Sequence, residues 1–181
     1  YTIVRRVLQE LQFGILAGRA IRAHRPDVAL LSNIPLLSLL LTTVVLRRAR
    51  IPVVFWQQDI YSAAIRSAAV RRVGPLGGLV GAVATAIERY VARASNAVVP
   101  IDESFSGVLR EWGIQEDRVF VTPNWAPIRE LPRRPRDNGW ARDHGLGELP
   151  VVLYAGTLGL KHDPSLLAAA AAALKGKAHV A

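Results

Sequence analysis

Short apolar runs alternate with longer segments of helical periodicity along most of the chain. Apolar residues recur every three or four positions over 3–23, which predicts a helix that ends before Pro26. Further helices are predicted at 35–48, 76–93 and 103–112, and strands at 27–31, 52–56, 97–101 and 118–122. This alternation is typical of an α/β fold with a Rossmann-like parallel sheet and right-handed crossovers.

Two segments interrupt the pattern. Residues 60–75 are basic and are predicted to form a loop that ends at Gly74-Pro75. Residues 123–139 hold four prolines and no strand pattern, as in a linker between domains. Beyond them the sequence predicts a short helix at 140–146, a strand at 151–155 and a helix opened by Asp163 as N-cap and Pro164 as first residue.

These breaks predict two domains. The first spans 1–125, the linker 126–139, and residues 140–181 form the start of a second Rossmann-like domain. The chain has no methionine, even at position 1, and 175–181 look like a helix end followed by the start of another strand. We therefore interpret the chain as a fragment of a longer protein.

Composition narrows the possible chemistry. Apolar residues make up 51% of the chain, enough to bury a core. The absence of cysteine excludes disulfides, thiolate metal sites and cysteine nucleophiles. Four scattered histidines show no ligand spacing, so a zinc or di-iron site is not expected, and no cofactor is predicted.

The net charge of +9 favours anionic partners such as nucleic acid, lipid headgroups or phosphorylated substrates. Nucleic-acid binding would predict clustered basic residues with interleaved aromatics, whereas the arginines here are spread, so no nucleic-acid partner is expected. A general bias towards arginine is the alternative explanation. The apolar stretch 28–46 is broken by Asn33 and Pro35, which predicts a strand and a buried helix rather than a membrane span.

Polar residues gather where the predicted strands end. In open parallel sheets, ligands bind beyond the carboxyl ends of the strands. The stretch "PVVFWQQDIYSAAI" (52–65) runs from a buried strand into two amides and a carboxylate. The residues at the strand ends are Asn33, Gln57, Gln58, Asp59, Asp102, Asn124 and Gly156. They predict a ligand cleft; the alternative is that exposed loops are polar in any protein.

Two of these positions suggest specific roles. Asp59 is the candidate catalytic carboxylate, as a general base or as a group that positions the acceptor, and its alternative role is a helix N-cap. Asp102 is interpreted mainly as a helix cap. The turn at 156–161 sets glycines and Lys161 between a strand and a helix, as for a phosphate, although it matches no established phosphate loop and Asp163 would repel an anion.

Three stretches resemble family-4 glycosyltransferases of the two-domain GT-B architecture, closest to the bacterial group that builds exopolysaccharide or lipid-linked glycans. They are "WQQDIYSAA" (56–64), the segment 87–127 from "IERYVARASNAVVP" to "VTPNWAP", and the segment 139–174 that contains "LPVVLYAGTLGLKHDPS". Together they cover about half of the chain in the order found in the family. The resemblance implies transfer of a sugar from a nucleotide-sugar donor, with retention and without an essential metal.

The resemblance also implies where each substrate binds. The first domain would hold a lipid-linked or polysaccharide acceptor, with Gln58 and Asp59 on the acceptor side of the cleft and Asn124 at its floor. Asn33 and Gln57 are expected on the same side, because they also stand at strand ends. The second domain would bind the donor diphosphate through Gly156, Thr157, Gly159 and Lys161. A cytoplasmic location is expected. The basic loop 66–72 and the helix after it would contact the inner face of the cell membrane, and the alternative is an ordinary solvated loop and a core helix.

The sequence departs from the family in four places. The opening strand and the glycine loop of the family's first domain are not found in it. Thr157 stands where relatives often carry Arg or Asn, and Asp163-Pro164 stands where they carry Gly. The paired glutamates of the donor site would lie beyond residue 181, so the chain alone is predicted to be inactive. Two alternatives remain open: a non-catalytic binding or scaffold domain at a membrane, and a sugar-nucleotide epimerase.

Overall fold

The computed structural model describes residues 3–32, 34–156, 158 and 163–180. The chain divides into two compact units, Tyr1–Asn124 and Trp125–Ala181. The elements of the first unit are α1 (Ile3–His24), β1 (Ala29–Ser32), α2 (Leu36–Arg48), β2 (Val53–Gln57), α3 (Tyr61–Val73), α4 (Leu76–Ala94), β3 (Ala97–Pro100) and α5 (Phe105–Glu111). Those of the second unit are α6 (Gly139–Asp143), β4 (Val151–Val152), α7 (Pro164–Ala173) and β5 (His179–Val180).

The first unit is built on a three-stranded parallel sheet in the order β1-β2-β3. Phe55 on the central strand is paired with Leu31 on one side and Val98 on the other, and all three are buried. Helices packed against this sheet complete the core, with Leu39, Leu46, Val91 and Leu109 among its buried side chains. The structure confirms the predicted α/β fold with a parallel sheet.

The predicted fourth strand at 118–122 is reduced to a single parallel bridge between Val119 and Val98. The Phe120 and Thr122 amides donate to the Val98 and Pro100 carbonyl oxygens at 3.0 and 2.9 Å. A 3₁₀ turn occupies Glu116–Arg118 just before this segment, and Pro123 after it has no amide to donate. The segment 119–122 thus runs along β3 through one bridge and two amide bonds without forming a regular strand.

The prediction of a basic loop at 60–75 is wrong, because residues 61–73 form the helix α3. This segment is rich in alanine and arginine, which are both strong helix formers. It also packs closely on α4: a Cβ at Gly77 would lie 2.3 Å from the backbone carbon of Ala69, and one at Gly81 would lie 2.5 Å from the Arg66 Cβ. Helix α3 ends at Gly74, whose φ of +60° is readily adopted by glycine.

The apolar stretch 28–46 forms β1 and the buried helix α2, as predicted. Helix α1 approaches α2 at Gly14, where a Cβ would lie 2.8 Å from the Ser38 backbone. Two hydroxyl groups of α2 satisfy α1 carbonyls: Ser38 Oγ donates to Glu10 O at 2.7 Å and Thr42 Oγ1 to Gly14 O at 3.2 Å. Among the described residues, no helix is long and apolar enough to cross a membrane.

Two arginines donate hydrogen bonds to backbone carbonyls at the end of α4. Arg47 Nη1 donates to the Ala94 carbonyl oxygen at 2.7 Å, and Arg118 Nη2 donates to the carbonyl oxygens of Arg93 and Ser95. The last carbonyls of a helix lack intrahelical partners and carry partial negative charge, so a guanidinium there is stabilising. Part of the positive charge of the chain is therefore structural.

In the second unit, β4 and β5 pair in parallel. Of the strand predicted at 151–155, the residues Val151–Val152 are in β4, where they pair with His179 and Val180 of β5. Asp163 caps α7 as predicted: its Oδ1 accepts from the Ser165 amide at 2.9 Å. Within the predicted linker 126–139, one 3₁₀ turn forms at Ile128–Glu130 and Asn138 caps α6. The proposed domain boundaries stay a prediction.

Candidate functional site

The polar residues at the end of β2 differ in exposure. Side chains alternate along a strand, so Gln57 shares its face with Val53 and Phe55 and is 1% exposed. Gln58 is half-buried, and Asp59 is exposed. At the end of β2, the Gln57 amide therefore lies in the core, whereas the Gln58 amide is partly accessible to solvent and the Asp59 carboxylate is exposed.

Glu88 on α4 holds this strand end in place. Its side chain is completely buried, and Oε1 accepts from Gln57 Nε2 at 3.3 Å and from the Tyr61 amide at 3.0 Å. Oε2 accepts from the Ser62 amide at 2.8 Å. A buried carboxylate requires such donors, and the positive end of a helix dipole favours it further. The carboxylate of Glu88 therefore ties α4 to the end of β2 and to the start of α3.

The same contacts bear on the alternative role of Asp59. The N-cap position of α3 is Ile60, which makes no side-chain capping bond, and the first amides of the helix donate to Glu88. Glu88 therefore performs the capping function that was the alternative for Asp59. The role of Asp59 as the catalytic carboxylate stays a prediction.

Tyr61, the first residue of α3, is affected by both carboxylates. Burial raises the pKa of its phenol, and the negative charges of Asp59 and Glu88 raise it further. The phenol is accordingly neutral at physiological pH and keeps its proton as a hydrogen-bond donor.

Asn124 lies beside Gln58, although 66 positions separate them in the chain. Its Nδ2 donates to Gln58 Oε1 at 3.1 Å, and the contact is exposed. The structure therefore brings together two of the residues predicted for the acceptor side, with Asp59 adjacent in sequence. Amides and a carboxylate supply the donors and acceptors that recognise hydroxyl groups.

Asp102 belongs to the turn before α5. The Ser104 amide donates to Asp102 Oδ1 at 2.8 Å. Hydrogen bonds from the side chain and the backbone of Ser104 lower the pKa of this carboxyl. Ser104 already has helical backbone angles, and the Phe105 amide donates to the Asp102 carbonyl oxygen at 3.1 Å. Asp102 therefore caps the turn that leads into α5, as predicted.

Of the predicted donor-side residues, the structure describes one, Gly156. Asn33 on the acceptor side and Thr157, Gly159 and Lys161 on the donor side lie outside the described residues. Gly156 is described: it is exposed in a bend after β4, and a Cβ there would lie 3.4 Å from the Tyr154 hydroxyl. The diphosphate site stays a prediction. In the part of the chain that the structure describes, no group of three or more His, Cys, Asp or Glu side chains is arranged to hold a metal.

Sequence reasoning missed Glu88, although a signal for it exists. The buried residues of α4 include Gly77, Gly81, Ala84, Glu88 and Val91, which recur at the helical spacing of one face. A lone acidic residue on that otherwise small and apolar face indicates a buried carboxylate that needs partners.

The model of a family described as "Glycosyl transferase 4-like domain" matches residues 3–125, which is more than half of the chain. The chain belongs to this family. The resemblance to family-4 glycosyltransferases stated from the sequence is thereby confirmed. The match includes all described residues of the site at the end of β2, so Glu88, Asp59 and Asn124 lie within the glycosyl transferase 4-like domain.

Solved structures show a related fold. The crystal structures of Anabaena Alr3699/HepE in complex with UDP and glucose and with UDP-glucose each have a TM-score of 0.67 and 18% identity. They cover 91% of this chain, which spans 41% and 42% of those chains. The complex with UDP has a TM-score of 0.61, 16% identity and 50% coverage of that chain. A search of curated protein sequences finds no significant match.

Proposed function

We propose that this glycosyl transferase 4-like chain forms the acceptor side of an enzyme that transfers a sugar from a nucleotide-sugar donor. The family match over 3–125 carries the proposal. The crystal structures with similar folds contain UDP and UDP-glucose, which supports a nucleotide-sugar as donor. The chain spans half of those structures or less, so the activity is proposed for the full-length protein.

In this proposal the acceptor hydroxyl binds at the end of β2. Asp59 is exposed there, beside the hydrogen-bonded pair of Gln58 and Asn124. A carboxylate near the attacking hydroxyl accepts its proton or holds its position, and the amides orient the neighbouring hydroxyls. We propose a lipid-linked or polysaccharide acceptor and retention of the anomeric configuration.

The donor diphosphate is proposed to bind at the turn that contains Gly156, Thr157, Gly159 and Lys161. Backbone amides and an ammonium group would stabilise the charge that develops on the leaving diphosphate. This part of the proposal rests on the sequence, and no metal or cofactor is required by it.

The test is sugar transfer by the full-length protein with UDP-glucose and a polyprenyl-phosphate-linked acceptor. Asp59→Asn is expected to lower kcat at least about 100-fold, the usual size of a lost general base. Asp117→Asn removes an exposed carboxylate elsewhere in the same unit and is expected to leave transfer unchanged. Equal activity in both variants would exclude Asp59 as the catalytic carboxylate.

Two further measurements separate the parts of the proposal. Thermal shift with nucleotide diphosphates and their sugars tests donor binding, because a ligand that binds only the folded state raises its stability. No stabilisation by any of them would contradict the donor assignment. The anomeric configuration of the product, read by NMR, tests retention, and the 181-residue chain alone is expected to show no transfer.

A further inference from the structure

Two helices of the first unit are followed by arginines in the left-handed backbone conformation. Arg25 comes directly after α1 with a φ of 46°, and Arg50 comes two residues after the end of α2 with a φ of 58°. In the described part of the chain, they are the two non-glycine residues with positive φ. Glycine or asparagine usually occupies such a position, because a larger side chain is strained there. Strained backbone of this kind is found most often at functional sites.

The two arginines line the same cavity, which has a volume of about 480 Å³. It lies at the amino ends of β1 and β2, between the turn that follows α1 and the turn that follows α2. The Ala29 amide donates to the Pro52 carbonyl oxygen at 2.9 Å, and this bond holds the two turns side by side. The charged residues that line the cavity are Arg22, Arg25, Arg48 and Arg50.

The ends of the helices do not need these four guanidinium groups. The carbonyl oxygens of Val45, Leu46 and Arg47 at the end of α2 accept from the backbone amides of residues 49–51 at 3.0 or 3.1 Å. Among the described residues, the arginine side chains that make hydrogen bonds or ion pairs are others, such as those of Arg47 and Arg118. The four side chains at the cavity are exposed and available to a ligand.

The charge around the cavity favours an anion with several negative charges. Residues 19–52 contain six arginines, no lysine and one acidic residue, Asp27. Four guanidinium groups around one cavity repel each other and attract a shared counter-ion. The planar fork of a guanidinium matches two oxygens of a phosphate group. The volume lies within the usual range of sites for small molecules.

We propose that this basic pocket, lined by Arg22, Arg25, Arg48 and Arg50, binds a soluble anion that carries two or more phosphate groups. The four guanidinium groups hold the phosphate oxygens by charge-assisted hydrogen bonds. The five residues of β2, about 17 Å of extended chain, separate the pocket from the candidate site at the other end of this strand. The pocket is therefore a second site, and the proposal does not depend on the transfer activity.

The test is isothermal titration calorimetry of the full-length protein with tripolyphosphate. Binding is expected, and it is expected to weaken as salt is raised. Arg25→Gly with Arg50→Gly is expected to raise the dissociation constant at least about tenfold, because two charge-assisted contacts are lost. Arg22→Gln with Arg48→Gln is expected to weaken binding to a similar extent.

The glycine variant also has a readout that separates a ligand site from a structural role. Without the anion, its melting temperature is expected to equal or exceed that of the unmodified protein, because glycine relieves the strain at both turns. A lower melting temperature would overturn the proposal, since the arginine side chains would then stabilise the fold themselves.

Two control variants separate this pocket from other positive charge. Arg71→Gln with Arg72→Gln makes the same charge change in the last turn of α3 and is expected to bind tripolyphosphate as the unmodified protein does. Lys161→Gln removes the ammonium group proposed for the donor diphosphate and is expected to leave the pocket unaffected. Equal losses in pocket and control variants, a loss confined to Lys161→Gln, or no binding at all would overturn the proposal.

A comparison of anions identifies the source of the phosphate groups. Equal affinity for tripolyphosphate and ATP would support recognition of the phosphate chain alone, and tighter binding of ATP, lost in the same variants, would support a nucleotide as the ligand. Binding of anionic vesicles or of single-stranded RNA through the four arginines, without binding of tripolyphosphate or ATP, would overturn the proposal, because the ligand would then be an extended charged surface.

Discussion

The two faces of α4 differ in the charged residue that each carries and in how far that residue is exposed. The comparison distinguishes a charge that holds the fold together from a charge that is exposed to solvent. The inner face is buried and holds one carboxylate, Glu88, whose oxygens accept from a side-chain amide and two backbone amides. The outer face exposes Leu79, Val83 and Arg89. A buried charge such as the Glu88 carboxylate needs hydrogen-bond partners from the protein itself. An exposed positive charge such as the Arg89 guanidinium is solvated and can attract an anion.

Glu88→Ala is expected to give the largest effect on stability. It leaves Gln57 Nε2 and the Tyr61 and Ser62 amides without their acceptor. Because each unsatisfied buried donor costs about 1–3 kcal/mol, the free energy of unfolding should fall by at least about 3 kcal/mol. Arg89→Ala on the outer face should change it by less than about 0.5 kcal/mol. Urea unfolding measures both, and similar losses would remove the distinction between the faces.

Two neighbouring glycines of α4 should respond with opposite signs. Gly77→Ala forces a Cβ against the α3 backbone and should cost about 2–3 kcal/mol. Gly78→Ala meets no atom within 4 Å and should stabilise the helix by up to about 1 kcal/mol. Thermal unfolding of the two variants tests the close contact between α3 and α4, and a destabilised Gly78→Ala would contradict the assigned faces.

The contact between Gln58 and Asn124 is exposed and should be weak. A double-mutant cycle with Gln58→Ala and Asn124→Ala is expected to give a coupling energy of about 0.5–1 kcal/mol. Asn124→Ala should still lower transfer by the full-length protein, since the pair is proposed to orient the acceptor. A coupling energy of zero would mean that the two side chains do not act together.

The smallest expected effect is a pH dependence at Tyr61. Its pKa is raised in the folded state, so the stabilisation is fully present below the unfolded pKa near 10.0 and is lost as pH rises through the folded pKa. Tyr61→Phe removes this term, and its unfolding free energy should fall less between pH 9 and about 11. Parallel curves for both proteins over that range would exclude the effect.

Local pattern predicted much of the first unit. The helical period of 3–23 and the apolar runs before Gln57 and Pro100 correspond to α1, β2 and β3. The arginines of 66–72 were interpreted as loop residues, although their alanine neighbours favour a helix. The error arose because charge does not distinguish a loop from the exposed face of a helix.

The arrangement of the site was only partly accessible from sequence. The strand-end rule identified Gln58, Asp59 and Asn124, but the contact between Gln58 and Asn124 depends on how distant segments pack. The role of Glu88 required knowing that its face of α4 is turned inwards. Tertiary packing determines which side chains meet and which are buried. A single sequence indicates this only through the periodicity of its apolar residues.

The central claim is that Glu88, and not Asp59, holds the end of β2 and the start of α3. Amide hydrogen exchange by NMR tests it most directly in Glu88→Gln and Asp59→Asn. Glu88→Gln should speed exchange at Tyr61 and Ser62, whose amides donate to this carboxylate, and Asp59→Asn should leave both rates unchanged. Faster exchange in Asp59→Asn with unchanged rates in Glu88→Gln would contradict the claim.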